Sequence, residues 1–209
     1  MHIKLLLIDF GGVIAPEGFQ LGILRLALKY DIPFRDMYRI CSRVAGLESG
    51  YTAGRIGENE YWKIVAGELG TSEDMSVYRD MFLDNFQPRR DMLKLVSSMR
   101  KYVKTGLFSD QTNWIHELDG MYSFFSCFDY KWISYDKGLT KYDAEFYQLP
   151  SHESGIEPQS ILLIDDKQRV LDMAEAAGIA GHLFTSVNEC RDFLETLIDH
   201  ETLNAGSVL

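Results

Sequence analysis

The chain has 209 residues, 46% hydrophobic and 12% aromatic, which is enough for a packed core and far from a disordered composition. Its formal net charge of −10 argues against a nucleic-acid-binding face, and no apolar run reaches bilayer length. The length suits one domain, or one core domain carrying a smaller insert.

Two further features bear on location. Met1-His2-Ile3-Lys4 lacks the layout of a signal peptide, and Cys41, Cys127 and Cys190 are widely spaced with no C-x-x-C pair. Both point to a cytoplasmic protein whose cysteines are reduced, small buried hydrophobes.

In chain order, the first signal is Ile3–Ile14, IKLLLIDFGGVI. A short apolar run ending in one carboxylate, Asp9, suits a strand buried on both faces of a parallel sheet, with Gly11 and Gly12 making a tight turn. Ala15–Gln20 reads as a loop. Helices follow, marked by Leu21, Leu24, Ala27 and Leu28, then by Met37, Ile40, Cys41 and Val44. Gly46–Gly57, with four glycines, reads as a loop. Tyr61, Ile64, Val65 and Leu69 mark a third helix ending at Gly70. A fourth starts within Thr71–Asp74 and continues on the face Met75, Tyr78, Phe82 and Phe86.

Pro88 closes this helical block and the period changes. Helices at Met92–Met99 and Trp114–Met121 alternate with strands at Tyr102–Ser109 and Phe128–Ser134. Ser160–Asp165 repeats the opening pattern, an apolar strand ending in carboxylates. A helix stopped by Gly178, a strand at His182–Thr185 and a helix at Val187–Ile198 complete the chain, with a frayed tail at Asn204–Leu209. Strands alternating with helices predict an α/β, Rossmann-like, doubly wound parallel sheet. The helical insert occupies residues 15–87, and residues 1–14 plus 88–209 form the core. An insert placed directly after the first strand would sit over the crevice and act as a lid.

Chemistry-bearing residues fall at the C-terminal ends of predicted strands: Asp9, Ser109-Asp110 and Asp165-Asp166, with Lys141 in the loop after the third. In a parallel sheet these ends share one edge, so distant residues converge. Asp9, Asp165 and Asp166 together call for a cation, and oxygen ligands suit magnesium. Lys141 and the Ser109 hydroxyl suit an anionic group such as phosphate. Taken singly, Ser109, Asp110, Asp165 and Asp166 could be helix caps and Lys141 a solvated lysine. Their ordered placement at successive strand ends favours a site.

LLLIDFGGVI, LFSD, the lysine of GLTKYDAEFYQ, and ILLIDDKQRVLDMAEAAGI together resemble the four motifs of the haloacid dehalogenase-like (HAD) hydrolases. The resemblance runs from Ile3 to about Ser186, and the helical insert matches members with a small α-helical cap. SGYTAGRIGENEYW is similar to a cap stretch of sugar-phosphate phosphatases and of the phosphatase domain of epoxide hydrolases.

The resemblance implies a magnesium-dependent phosphatase of small phosphoesters, monomeric or homodimeric, with neither nucleic acid nor membrane as partner. Asp9 would be the nucleophile, forming an aspartyl-phosphate. Asp9, the Gly11 carbonyl and Asp166 would bind magnesium, with Asp165 holding a metal-bound water or orienting the ligands. Ser109 and the Asp110 N–H would grip the phosphoryl oxygens, and Lys141 would neutralise nucleophile and transferring group.

Three positions depart from the family pattern. Gly11 stands where a second Asp would transfer protons, a loss that typically costs about a hundredfold to ten-thousandfold in rate. Asp110 replaces an Asn, which leads to the expectation that Asp110 takes over part of the proton transfer. Tyr142 follows Lys141 in place of Pro, and Pro150 is expected to cut short the next helix. Gly11 also admits two other readings, a 2-haloacid dehalogenase and a non-catalytic binding domain. Residues selecting the substrate are expected in Gly18–Gln20 or Ser49–Arg55.

Overall fold

In a computed structural model describing residues 2–205, with only the backbone of 198–205, the apolar run after Lys4 forms strand β1, Leu5–Ile8, buried throughout. Its side chains alternate between two cores, Leu5 and Leu7 facing one, Leu6 and Ile8 the other. A strand buried on both faces belongs inside a sheet, and β1 is the middle strand of five, in the order β3-β2-β1-β4-β5. The others are β2 (Lys104–Ser109), β3 (Tyr130–Ile133), β4 (Ile161–Asp165) and β5 (Ala180–Leu183). Every pairing is parallel, as predicted. Ile8 lies beside Leu107 and Ile164, so Asp9, Ser109 and Asp165 leave the sheet at one edge. The strand order reverses between β1 and β4, which opens the crevice there.

Among the described residues the segment between β1 and β2 carries helices joined by loops and no strand. It comprises α1 (Gly18–Tyr30), α2 (Phe34–Tyr38) passing directly into wide π-type turns at Arg39–Glu48, α3 (Glu58–Leu69), one 3₁₀ turn at Met75–Tyr78, α4 (Asp80–Leu83) and α5 (Arg90–Met99). α3 ends at Gly70 in the left-handed conformation, φ 64°, as its sequence predicts. Asp74 caps the next turn through Ser76 N, and Met75, Tyr78, Phe82 and Phe86 are all buried.

Helices cover both faces of the sheet. α5, α6 (Trp114–Tyr122) and α10 (Val187–Ala205) bury apolar residues in the core that holds Leu6 and Ile8. After the short α7 (Ser134–Lys137), a 3₁₀ segment at Ala144–Gln148 leads into α8 (Leu149–Ser154). That segment and α9 (Gln168–Ala176) cover the opposite face through Phe146, Tyr147, Val170, Leu171 and Ala174. Among the described residues no helix is long and apolar enough to cross a membrane.

Several expectations change. α1 starts at Gly18, inside the stretch expected as a loop, and the expected fourth helix is split into the 3₁₀ turn at Met75–Tyr78 and the short α4, with Phe86 beyond it. α1 buries Gly18, Gly22, Ile23, Leu26 and Ala27, while Leu21, Leu24 and Leu28 are exposed. Phe86 and Phe82 pack so close to Gly18 and Gly22 that an added Cβ would lie 2.7 and 2.4 Å from their rings, so glycines carry this contact. The glycine-rich stretch from Gly46 begins inside the π-type turns. Pro150 lies in the first turn of α8, where a missing N–H costs nothing, so it starts a helix. β5 is shifted to Ala180–Leu183, where its register beside β4 places Gly181 against Leu171. Cys41 and Cys190 are buried, but Cys127 is only half-buried beside Ser97. The tail expected at Asn204–Leu209 lies at or beyond the end of the described residues.

Candidate active site

The loop leaving β1 is closed on itself. Ala15 N donates to Phe10 O at 2.8 Å and Gly12 N to Ala15 O at 2.7 Å. Arg89 clips this turn from the far side, its Nη1 donating to the carbonyls of Gly12 (2.8 Å) and Val13 (2.6 Å) and its N to Ile14 O (2.7 Å). Gly12 is required twice over: its φ is +86°, and a Cβ there would lie 2.1 Å from Asp166 Oδ2. The closed turn brings Glu17 back beside Gly11.

Asp9, 4% exposed, receives two donors on one oxygen. Ser109 Oγ donates to Asp9 Oδ1 at 2.6 Å, and Lys141 Nζ lies 2.8 Å from the same atom. Lys141 is 3% exposed, and its Nζ also lies 2.7 Å from Asp165 Oδ2. Its backbone is pinned as well: N donates to Asp110 Oδ1 (2.8 Å) and O accepts from Tyr147 OH (3.1 Å). Asp165 is fully buried and spends its other oxygen on Lys167 N at 2.9 Å.

Asp9, Asp165 and Asp166 each offer a carboxylate oxygen within 4.8 Å of the others, a spacing that can hold a metal ion. Asp166 Oδ1 is buried with no hydrogen-bond partner, and the cation beside it, Lys167 Nζ, stands off at 3.6 Å, which leaves its lone pairs unsatisfied. A small hard cation fits this donor set of oxygens. Asp165, with both oxygens used, suits orienting the cluster rather than adding a bond to it.

Burial and neighbouring charges oppose each other throughout the site. Burial would lower the Lys141 ammonium, but Asp9, Asp165 and Asp110 around it outweigh this and hold it above the ordinary lysine value. Lys167 is likewise penalised by burial and held up by Asp9, Glu17 and Asp166. Burial raises Asp165 and Asp166 above the usual carboxylate range, and Asp110 is pushed up to about 6 against the pull of Lys141.

Asp9, Ser109 and Lys141 line the floor of a cavity of about 180 Å³, with Asp165 and Asp166 adjoining Asp9 but outside its lining. Its opposite wall comes from the inserted helices, with Phe19, Gln20, Tyr38, Leu47, Tyr51 and Thr52. The π-type turns add Ser42 and Gly46, which a regular helix would present differently. Arg169 stacks 4.0 Å over the Tyr142 ring, and both residues line the cavity.

The structure thus brings Asp9, Gly11, Ser109, Asp110, Lys141, Asp165 and Asp166 to one crevice, and both stretches proposed to select the substrate contribute to its wall. Asp110 turns its carboxylate to the Lys141 backbone. Sequence reasoning missed Glu17, Gln111, Lys167 and Arg169, which also line the cavity. Lys167 carried a usable signal, since it directly follows the Asp165-Asp166 pair.

A parallel sheet with the crevice beside its middle strand and acidic residues at the strand ends is the architecture of HAD-type α/β enzymes, and comparison with solved structures shows that fold. A HAD family enzyme from Bacteroides thetaiotaomicron, solved in complex with magnesium and inorganic phosphate, superposes with a TM-score of 0.70 at 17% identity, over 88% of this chain and 94% of that one. A predicted HAD-like family hydrolase from Porphyromonas gingivalis gives 0.71 at 20% identity, covering 88% and 91%. The L-2-haloacid dehalogenase from Xanthobacter autotrophicus, with chloropropionic acid covalently bound, gives 0.62 at 16% identity, covering 92% and 83%. No protein-family model matches the sequence. No curated protein matches it either.

Proposed function

We propose that the chain is a magnesium-dependent phosphatase of small phosphate monoesters, working in the cytoplasm through a covalent phosphoryl group on Asp9. The observation that carries this reading is the shared contact of Ser109 and Lys141 with Asp9, beside an Asp166 oxygen that no hydrogen bond satisfies. Magnesium would be held by the carboxylates of Asp9 and Asp166 and the carbonyl of Gly11, and would neutralise charge on the phosphoryl oxygens. The balance supports a cation. Asp9, Asp110, Glu17, Asp165 and Asp166 outnumber Lys141 and Lys167, so the site carries excess negative charge that a divalent ion would offset as a phosphate dianion approaches.

Within that frame, each residue has a physical task. Lys141 holds Asp9 oriented and stays charged next to the transferring group. Ser109, with the Asp110 N–H behind it, supplies hydrogen bonds to phosphoryl oxygens. Asp165 fixes Lys141. Residues 15–87 serve as a cap, and apart from Glu17 its cavity-lining side chains carry no charge, which suits an uncharged, partly apolar leaving group.

Hydrolysis of p-nitrophenyl phosphate with and without magnesium tests the reading. Turnover should require magnesium and fall by at least about a thousandfold in Asp9→Asn. The likeness to the Xanthobacter enzyme, together with Gly11, supports a second reading, a 2-haloacid dehalogenase. Metal-independent chloride release from 2-chloropropionate would favour it. No turnover of either substrate by the folded protein would favour a binding domain.

A further inference from the structure

Breaking a phosphate ester expels an alkoxide or phenoxide, and a proton donor at the departing oxygen lowers that barrier, more so for poor leaving groups. Among the described residues three carboxylates line the cavity: Asp9, Glu17 and Asp110. Asp9 is the nucleophile in the reading above. Asp110 accepts the Lys141 N–H and braces that lysine's backbone. Glu17 remains.

Its position is specific. A Cβ built on Gly11 would lie 3.6 Å from Glu17 Oε2 and 3.7 Å from Gln111 Nε2, with ordinary clearance and no positive φ. The space that a side chain two residues beyond the nucleophile would fill therefore borders a carboxylate already, delivered by the returning loop. That loop is the one closed by the Gly12–Ala15 hydrogen bond and clipped by Arg89, so the approach of Glu17 is built in. Lys167 Nζ holds Glu17 Oε1 at 2.6 Å, which fixes one oxygen and directs the other toward Gly11. The side chain is still 30% exposed, enough to exchange protons with solvent.

We propose that Glu17 is the proton-transfer residue of this site, occupying from the loop the place that Gly11 leaves open. The proposal rests on the phosphatase reading. With Oε1 on Lys167 and a proton taken from solvent on Oε2, Glu17 gives that proton to the leaving oxygen as its bond to phosphorus breaks and the Asp9–phosphorus bond forms. In the second half, Glu17 takes a proton from water as the water oxygen bonds to phosphorus and the Asp9–phosphorus bond breaks. Ester and water become alcohol and phosphate, with Asp9 and Glu17 restored.

The test measures kcat/KM, which reports steps up to leaving-group expulsion, for a series of substituted phenyl phosphates of similar shape and rising leaving-group pKa. In Glu17→Gln the dependence on leaving group should steepen, with phenyl phosphate losing at least about tenfold more than p-nitrophenyl phosphate. Adding Gly11→Asp to that variant should flatten the dependence again, a rescue that a merely structural role would not give. Equal losses across the series, or no rescue, would overturn the role of Glu17 and leave the phosphatase reading standing. A folded wild type inactive on p-nitrophenyl phosphate would overturn both.

Discussion

Asp110 shows how one residue's environment sets a measurable property of the protein. Its carboxylate is raised from 3.8 to about 6, chiefly by burial, with Lys141 pulling the other way. A carboxyl whose pKa is higher folded than unfolded binds its proton more tightly in the native state. Its contribution to stability is full below about pH 4 and is lost as the pH rises through about 6. The elevation corresponds to at most about 3 kcal/mol. Asp110→Asn keeps an oxygen for the Lys141 N–H and removes the titration, so the stability difference between wild type and variant should favour wild type more at pH 4.5 than at pH 7.5. Urea denaturation of both proteins at the two pH values checks this. At the same scale, Asp9, Ser109, Asp165 and Asp166 were legible in the sequence because each ends or follows an apolar strand. Glu17 was not. It follows no strand, and only closure of the turn before it brings it to Gly11.

At the scale of elements, α1 explains where pattern reading fails. Its leucines suggested a buried stripe, yet Leu28 is 75% exposed and the packing face runs through Gly18 and Gly22. Hydrophobic periodicity registers large side chains, and it misses a contact made by the absence of one. The two kinds of position predict opposite outcomes. Gly22→Ala gains helix propensity but drives a Cβ into Phe82, including its Cα at 2.9 Å, and should lower stability by about 1–3 kcal/mol. Leu28→Gln should change it by no more than about 0.5 kcal/mol. Thermal melting of the two variants separates these cases. The sheet was more legible, because buried parallel strands read as short apolar runs and the connections between them as helices.

Across the whole molecule, the inserted helices and the sheet share one apolar core, and polar links fasten the insert to α6. Arg79 joins Glu58 of α3 (2.6 Å) to Glu117 of α6, while Asn113 Nδ2 donates to the other Glu58 oxygen at 3.1 Å. Tyr51 OH donates to Asn113 Oδ1 at 2.7 Å, close to the cavity wall. If the insert opens to admit substrate, these links resist it. Arg79→Gln should weaken the closed form by on the order of 1 kcal/mol, given partial exposure of the pair. Faster amide exchange in α3, with β1 and β4 unchanged, is the expected signature.

Lys141 has one more consequence. Placed between Asp9 and Asp165, its ammonium is a counter-ion supplied by the chain itself. The carboxylates therefore do not depend on a bound ion to tolerate each other's company in the native state. Treatment with a chelator should leave the circular dichroism spectrum intact. Added magnesium should then raise the melting temperature gradually with concentration, following simple mass action rather than switching folding on.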